Sequence, residues 1–350
     1  MYELPEKLKS LSPYSPDMGE YPIRLDANES FITPDAGMVA RIADAVSKVS
    51  LNRYPDPEAK ALRKAFADLH GLSAGNIAAG NGSDELISVI MNVFLCRGDT
   101  VVTAEPDFSM YRFYAHLCEC PVISADKGQD LEINADRLID TVNQNGTKML
   151  IFSNPCNPTS RGLDREAVRR IINSVSVLVV LDEAYMDFWD QSLINEICGF
   201  DNCILLRTCS KMLGMAALRL GFAVGNETLI NAIMAAKSPY NINSVSQAIG
   251  CVVLGDRQYI NMCTDTIAKS IDLLYSRLMG FKQFGLNCYV TNTNFVMVKS
   301  DKAAGIFEYL KSQGILVRLL GGGLRITCGS ENENAALISA LKTYFEGTGD

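Results

Sequence analysis

Two histidines and one tryptophan stand in 350 residues, and no two of the eleven cysteines are spaced Cys-x-x-Cys. That pattern argues against a zinc site, and no metal is expected. Most cysteines lie in apolar runs and read as reduced, buried small hydrophobes rather than as a disulfide framework. Long apolar runs are missing too: stretches such as Val177–Leu181 are strand-sized, far short of a membrane span. The N-terminus, Met1-Tyr2-Glu3-Leu4-Pro5-Glu6, has no basic region ahead of an apolar core, so no signal peptide is expected and the cytoplasm is the expected location. Positive charge is in deficit, with 32 Lys and Arg against 40 Asp and Glu. The resulting net charge of −8 argues against a general nucleic-acid or membrane surface, so an anionic ligand must be captured by local cations. A dinucleotide fingerprint also fails: Gly80-Asn81-Gly82 meets Glu85 where the third glycine belongs. Internal repeats and low-complexity tracts are absent.

What is present suits an ordinary globular protein, with 48% apolar and 21% charged residues. The length accommodates one large domain and a lesser one. Asp56-Pro57-Glu58 carries helix-start signals, and the helix is expected to run through Leu62 and Phe66 to His70-Gly71. Ser83-Asp84-Glu85 opens a second helix, Leu86 to Leu95. Continuous apolar runs at Thr100–Ala104, Lys148–Phe152, Val175–Leu181 and Cys203–Leu206 suit parallel strands covered on both faces. Helical pattern lies between them, as at Asp164–Ile172, so the expectation is a doubly wound, mostly parallel α/β domain. After about Asn243 comes a long helical stretch, Ser244 to Met279, and then a smaller α+β unit. Its expected strands are Tyr289-Val290, Phe295–Val298, Ile315–Arg318 and Leu324–Thr327, with a helix near Ala303–Gln313. The expected divisions are 1–35, packing on the small domain or a partner subunit; 36–245, the large domain; and 246–350, the small one.

Ligands of doubly wound sheets bind beyond the carboxyl ends of the strands. Three apolar runs end in polar groups: Ser153-Asn154-Pro155-Cys156-Asn157-Pro158-Thr159, then Asp182-Glu183-Ala184-Tyr185, then Arg207-Thr208-Cys209-Ser210-Lys211. Arg219 follows the lysine by eight residues, and Gly80-Asn81-Gly82-Ser83 feeds a helix N-terminus suited to an anion. A lysine to form a Schiff base, a carboxylate to keep a pyridine nitrogen protonated and a phosphate cradle are what pyridoxal 5′-phosphate requires. Ser83, Ser210 and Arg219 suit its phosphate, and an aromatic near Asp107-Phe108 suits its ring.

These residues, taken in order, resemble the fold-type I pyridoxal-phosphate enzymes of the aspartate aminotransferase superfamily, and most closely the histidinol-phosphate aminotransferases. The resemblance runs from Leu11-Ser12-Pro13-Tyr14 through Leu25-Asp26-Ala27-Asn28-Glu29, Arg53-Tyr54-Pro55-Asp56-Pro57 and Gly80–Glu85. It continues through Asn154–Thr159, Asp182–Tyr185 and Thr208–Lys211 to Leu324-Arg325-Ile326-Thr327. It implies Lys211 as the Schiff-base lysine and later the acid–base at the substrate, Asp182 on the pyridine nitrogen, and Asn157 and Tyr185 on the ring oxygen. Phe108 would stack on the ring. Ser83 and Asp84 (through their backbone), Ser210 and Arg219 would hold the phosphate. Tyr54 would reach over from the other subunit of a homodimer with shared sites. Tyr14, Asn28, Arg318 and Arg325 would surround the substrate, the arginines gripping its phosphate. The implied reaction moves an amino group between L-histidinol phosphate and 2-oxoglutarate. The rivals are an aromatic amino-acid aminotransferase and a threonine-phosphate decarboxylase; a cofactor-sensing module of a transcription factor ranks far behind. The chain departs from the commoner pattern at Ser160 and Ala217, both usually glycine, at Asp107, commonly threonine, and at Ser30, where proline is frequent.

Each residue also has a plainer reading. Arg318 and Arg325 suit a solvated strand, the two asparagines suit turns, and Asp182-Glu183 suits a strand ending in water. Tyr111 is expected simply to pack in the core. His70 and His116 read as structural, and Gly321-Gly322-Gly323 reads as a flexible hairpin.

Overall fold

The computed structural model describes residues 2–13, 15 and 17–347, so Tyr14 lies outside the described residues. A short strand, β1 (Ile23–Arg24), precedes the seven strands of the main sheet. These are β2 (Ile77–Gly80), β3 (Thr100–Thr103), β4 (Val122–Ser124), β5 (Thr147–Ser153), β6 (Leu178–Asp182), β7 (Cys203–Thr208) and β8 (Gly221–Val224). Their order across the sheet is β2-β8-β7-β6-β5-β3-β4, and only β8 runs against the rest.

Side chains alternate across this sheet, and both faces are apolar. Leu150, Phe152, Val179, Leu181 and Leu205 enter one core, whereas Met149, Ile151, Val180, Ile204 and Leu206 enter the other. Unbroken apolar runs are what a sheet buried on two sides demands. Phe152 is fully enclosed, so its truncation to alanine would cost roughly 3–5 kcal/mol.

Polar caps start the covering helices. Asp35 accepts from Met38 N, Asp164 from Ala167 N and Asn226 from Leu229 N, each satisfying an orphan donor of a first turn. The expected start at Asp56 moves, because the helix spans Lys60–His70. The Asp56 carboxylate takes Glu58 N and Lys60 N into a local turn, and Ala59 sits at φ 47°, outside helical geometry. The stretch expected as one helix is two, Ser244–Leu254 and Arg257–Met279. Asp256 caps the second through Tyr259 N, satisfying an orphan donor of its first turn.

A four-stranded antiparallel sheet forms the second unit, in the order β12-β13-β10-β9. Its members are β9 (Asn287–Cys288), β10 (Phe295–Lys299), β12 (Arg318–Leu320) and β13 (Gly323–Thr327). The expected strand at Tyr289-Val290 therefore lies two residues earlier, and Ile315–Arg318 divides. Ile315–Leu316 is a separate strand, β11, paired with β1, and the buried Val317 separates it from β12. Gly321 and Gly322, both at positive φ, make the two-residue turn joining β12 to β13.

The N-terminal segment touches both units. Lys311 pairs with Asp17 at 2.8 Å beside the β1–β11 ladder. Residues 6–9 instead lie on the helix Met110–Leu117 of the large unit. There Lys7 donates to the Leu117 carbonyl at 2.8 Å, a cation on a helix C-terminus. Among the described residues no helix is long and apolar enough to cross a membrane, and no cluster of His, Cys, Asp and Glu suits a metal ion.

Candidate active site

Parallel pairing brings the ends of β5, β6 and β7 to one edge. Ser153 is in register with Asp182, and Asp182 with Leu206, so the polar residues after each strand emerge side by side. Asp182 is buried, accepting from Ala184 N at 3.0 Å and from the Tyr111 hydroxyl at 2.8 Å. Burial lifts its carboxyl from 3.8 to about 6, against the pull of the Tyr111 bond. Its neighbour Glu183 faces the other way, bridging to Arg207 at 2.9 Å. Strand alternation thus separates two adjacent acids and leaves only Asp182 toward the site.

Lys211 follows β7. Its Nζ sits 5.8 Å from the centre of the Tyr185 ring and donates to the Ala27 carbonyl at 3.2 Å. Asn28, at φ 54°, donates to the Tyr185 hydroxyl at 2.8 Å. Thr327 and Asn294 hold Asn28 in turn, the first through its backbone N–H at 3.1 Å, the second by donating to its carbonyl at 3.1 Å. With its oxygen already accepting from Asn28, the Tyr185 hydroxyl keeps its own proton to donate.

A second cluster lies where β8 meets β2 and β7. Gly221 is in register with both Gly80 and Thr208. A Cβ on Gly221 would stand 2.2 Å from Ser83 N, so only glycine admits the Ser83–Phe94 helix this close. Arg219, at φ 52°, directs its guanidinium at Gly82, where a Cβ would approach Nη2 to 2.6 Å. Its Nη1 lies 3.5 Å from the Ser210 hydroxyl. Helix-start N–H groups, a serine hydroxyl and an arginine therefore converge, which is an anion cradle. Asp84 meets the Tyr114 hydroxyl at 2.9 Å.

Arg325, on β13, donates to the Asn157 side-chain oxygen and to the Asp26 carbonyl, both at 2.6 Å. This turns the Asn157 amide so that its NH2 remains the group left to donate. Arg318 is in register with Arg325 on the neighbouring strand, so the two guanidiniums rise from one face. Phe108 is half-buried and meets Tyr111 edge to face, with centroids 5.6 Å apart.

Lys211, Tyr185 and Asn28 are thus linked, as are Asp182 with Tyr111 and Phe108, Ser210 with Arg219 and Gly82, and Asn157 with Arg325. Tyr54 is not brought to these groups within one chain; it is 81% exposed and stacks on Tyr240 at 4.6 Å. Tyr111 corrects the expectation of a plain core residue, since its buried hydroxyl bonds to Asp182. The signal available was chemical: a buried tyrosine hydroxyl requires a partner. Thr327 and Asn294 gave no comparable signal.

The aminotransferase class I and II family model matches residues 19–341. Histidinol-phosphate aminotransferase of Clostridium novyi is 40% identical over 340 residues, covering 96% of this chain and 95% of that protein. The enzyme of that name from Clostridium kluyveri is 38% identical over 346 residues, covering 97% and 98%. In fold, the Sinorhizobium meliloti histidinol-phosphate aminotransferase, solved with pyridoxal-5′-phosphate, superposes with a TM-score of 0.91 at 24% identity, covering 99% of this chain and 98% of that one. L-threonine-O-3-phosphate decarboxylase of Porphyromonas gingivalis superposes at 0.79 with 21% identity, covering 93% and 99%. Fold alone therefore does not separate transfer from decarboxylation, whereas sequence likeness over nearly the whole length does assign the family. The chain belongs to the aminotransferase class I and II family, among the histidinol-phosphate aminotransferases.

Proposed function

We propose that this chain is a pyridoxal-phosphate aminotransferase that moves an amino group between L-histidinol phosphate and 2-oxoglutarate. The observation carrying the substrate reading is the register pair Arg318 and Arg325. Like charges directly opposite on a ladder repel, and a phosphate dianion set between them satisfies both with charge-assisted bonds.

The residues fit the cofactor by their donor chemistry. The cradle of Ser83, Arg219 and Ser210, too tight for a Cβ at Gly82 or Gly221, suits its phosphate. Asp182 suits a protonated pyridine nitrogen, and Phe108 the ring face. Tyr185 and Asn157, both left as donors, suit the ring oxygen. Once bound through Lys211, pyridoxal phosphate supplies a ring that accepts electrons from the substrate's α-carbon. Asp182, as a carboxylate, favours the protonated ring nitrogen on which that capacity depends. The Lys211 amine, when free, would take the proton from the substrate's α-carbon as a general base. The Ala27 carbonyl and the Tyr185 ring limit where that amine moves. Arg318 and Arg325 would hold the substrate by its far end, leaving its amino end to Lys211.

The exposed Tyr54, its partner Tyr240 and the 82% exposed Leu51 support a homodimer in which Tyr54 completes the second copy's phosphate cradle. The proposed setting is cytoplasmic amino-acid biosynthesis.

The test mixes the purified cofactor-loaded protein with L-histidinol phosphate and, in parallel, with phenylalanine or threonine phosphate, without any 2-oxo acid, and follows its absorption spectrum. Rapid conversion to the pyridoxamine form supports the proposal. Conversion chiefly by phenylalanine replaces it with an aromatic aminotransferase, and carbon dioxide from threonine phosphate with a decarboxylase.

A further inference from the structure

Beneath the loops bearing Phe108 and Asn157 lies a sealed ion pair that none of the chemistry above uses. The Lys127 and Asp107 side chains are both 0% exposed, with Nζ 3.9 Å from Oδ2. Lys127 Nζ also donates to the Pro106 carbonyl at 2.7 Å and meets Cys156 Sγ at 2.9 Å. The thiol in turn faces the Pro106 carbonyl at 3.5 Å and Asp107 Oδ1 at 3.7 Å.

Asp107 has two outputs. It accepts from Phe108 N at 2.8 Å, and from Ser153 through both its N–H, at 3.1 Å, and its hydroxyl. The Ser153 hydroxyl oxygen then accepts from Asn157 N at 3.2 Å. One buried carboxylate therefore anchors the residue beside the ring face and, through one serine, the residue beside the ring oxygen.

Stability is a poor reason for such a pair. Removing two charges from water costs several kcal/mol per ion, and apolar residues of similar volume commonly do as well. Three converging donors do need an ionised acceptor at a fixed point. Burial raises the Asp107 carboxyl, and Lys127 is the foremost influence pulling it back. Burial likewise pulls the Lys127 amine down, but Cys156 and Asp107 outweigh it, so the cation persists.

We infer that Lys127 and Asp107 are positioning residues of the cofactor site, Lys127 keeping Asp107 ionised so that Asp107 fixes Phe108 and the Ser153–Asn157 link together. This rests on the preceding reading of Phe108 and Asn157 as cofactor contacts.

The experiment compares Lys127→Met, Asp107→Asn and the double variant with the native chain. Its readouts are the dissociation constant of pyridoxal phosphate from the apoprotein, the visible circular dichroism per bound cofactor, and apoprotein melting. Borohydride trapping on Lys211 of the native protein comes first, and failure there removes the reading of the site itself rather than this inference. Each single change is expected to weaken cofactor binding about ten- to a hundredfold, the range for groups that orient a site's direct ligands. Each is also expected to reduce the dichroic signal per bound cofactor. The double variant should regain apoprotein melting, because no lone charge stays buried. It should keep the weakened binding and the reduced signal, because an amide has one acceptor oxygen where the carboxylate takes Phe108 N and the Ser153 hydroxyl on Oδ1 and Ser153 N on Oδ2. Binding within twofold of native in Lys127→Met, with an unchanged dichroic signal, overturns the inference. So does weakened binding that tracks melting while the dichroic signal holds. Should Lys127→Met not fold, the double variant decides: a signal as low as that of Asp107→Asn supports the inference, and native dichroism overturns it.

Discussion

The Tyr111 hydroxyl donates to Asp182 at 2.8 Å, both groups sealed from solvent at the carboxyl end of the central strand β6. The bond stabilises the ionised carboxylate, working against the burial that lifts it to about 6. Tyr111→Phe keeps the ring, its edge-to-face contact with Phe108 and the core volume, and removes only this donor. The Asp182 carboxyl should then titrate higher, and the acid limb of the kcat/KM profile should move to higher pH. Cofactor affinity should fall by roughly tenfold, since a hydrogen bond to a charged group is worth about 1.5–3 kcal/mol. An unmoved acid limb would mean that Tyr111 only fills space.

Asp182 also links the apoprotein's stability to pH. Its folded value, about 6, lies above its ordinary 3.8, so the native state holds more protons between those values. The contribution to stability is therefore full below about 4 and lost as pH rises to about 6, on the order of 3 kcal/mol for two units. His70 has the opposite sign. Burial holds it near 4 instead of 6.5, so its contribution is lost as pH falls through that window. Asp182→Asn leaves the His70 slope in place and removes the other. Denaturant titrations of the two apoproteins from pH 4 to 8 should diverge, the variant gaining relative stability as pH rises. Parallel curves would refute the burial effect on Asp182.

Much of this arrangement is legible in the sequence because strands covered on both faces admit so little polarity. Asp182 and the Lys211 loop each follow an unbroken apolar run, and the topology leaves such residues one place to go. Other features depend on contacts distant in the chain. The Tyr111–Asp182 bond spans 71 residues, and the Asn28–Thr327 bonds span 299. No local pattern announces either. β8 escapes notice because Gly221-Phe222-Ala223-Val224 is too short to separate from a turn. Local chemistry also misleads: Asp56 offers strong helix-start signals and spends its carboxylate on a turn instead.

Lys211→Ala should fold and still bind the cofactor's phosphate, because the Ser83–Arg219–Ser210 cradle does not depend on the amine. The α-proton, however, loses its base. A positioned general base contributes typically 10²–10⁴-fold, so transamination should fall by at least about a thousandfold once loss of covalent attachment is added. Added methylamine should restore part of the rate. A variant retaining a tenth of native activity would remove Lys211 from the proposed role.

Arg318 and Arg325 face each other on paired strands, yet their surroundings differ, and so should their losses. Arg325 holds the Asn157 oxygen and the Asp26 carbonyl, so Arg325→Lys should disturb the proposed cofactor contact together with the proposed substrate contact. Its effect should appear in KM for both substrates and in cofactor affinity. Arg318 makes no such bridge to Asn157, so Arg318→Ala should act mainly on the phosphorylated substrate. Loss of one or more charge-assisted bonds, about 1.5–3 kcal/mol each, raises KM for histidinol phosphate by roughly tenfold or more. KM for glutamate should change far less, and apoprotein melting should hold or rise as the repulsion between guanidiniums is relieved. Equal losses for both substrates in Arg318→Ala would instead assign this arginine to a carboxylate, and the phosphate would have to be sought elsewhere on the molecule.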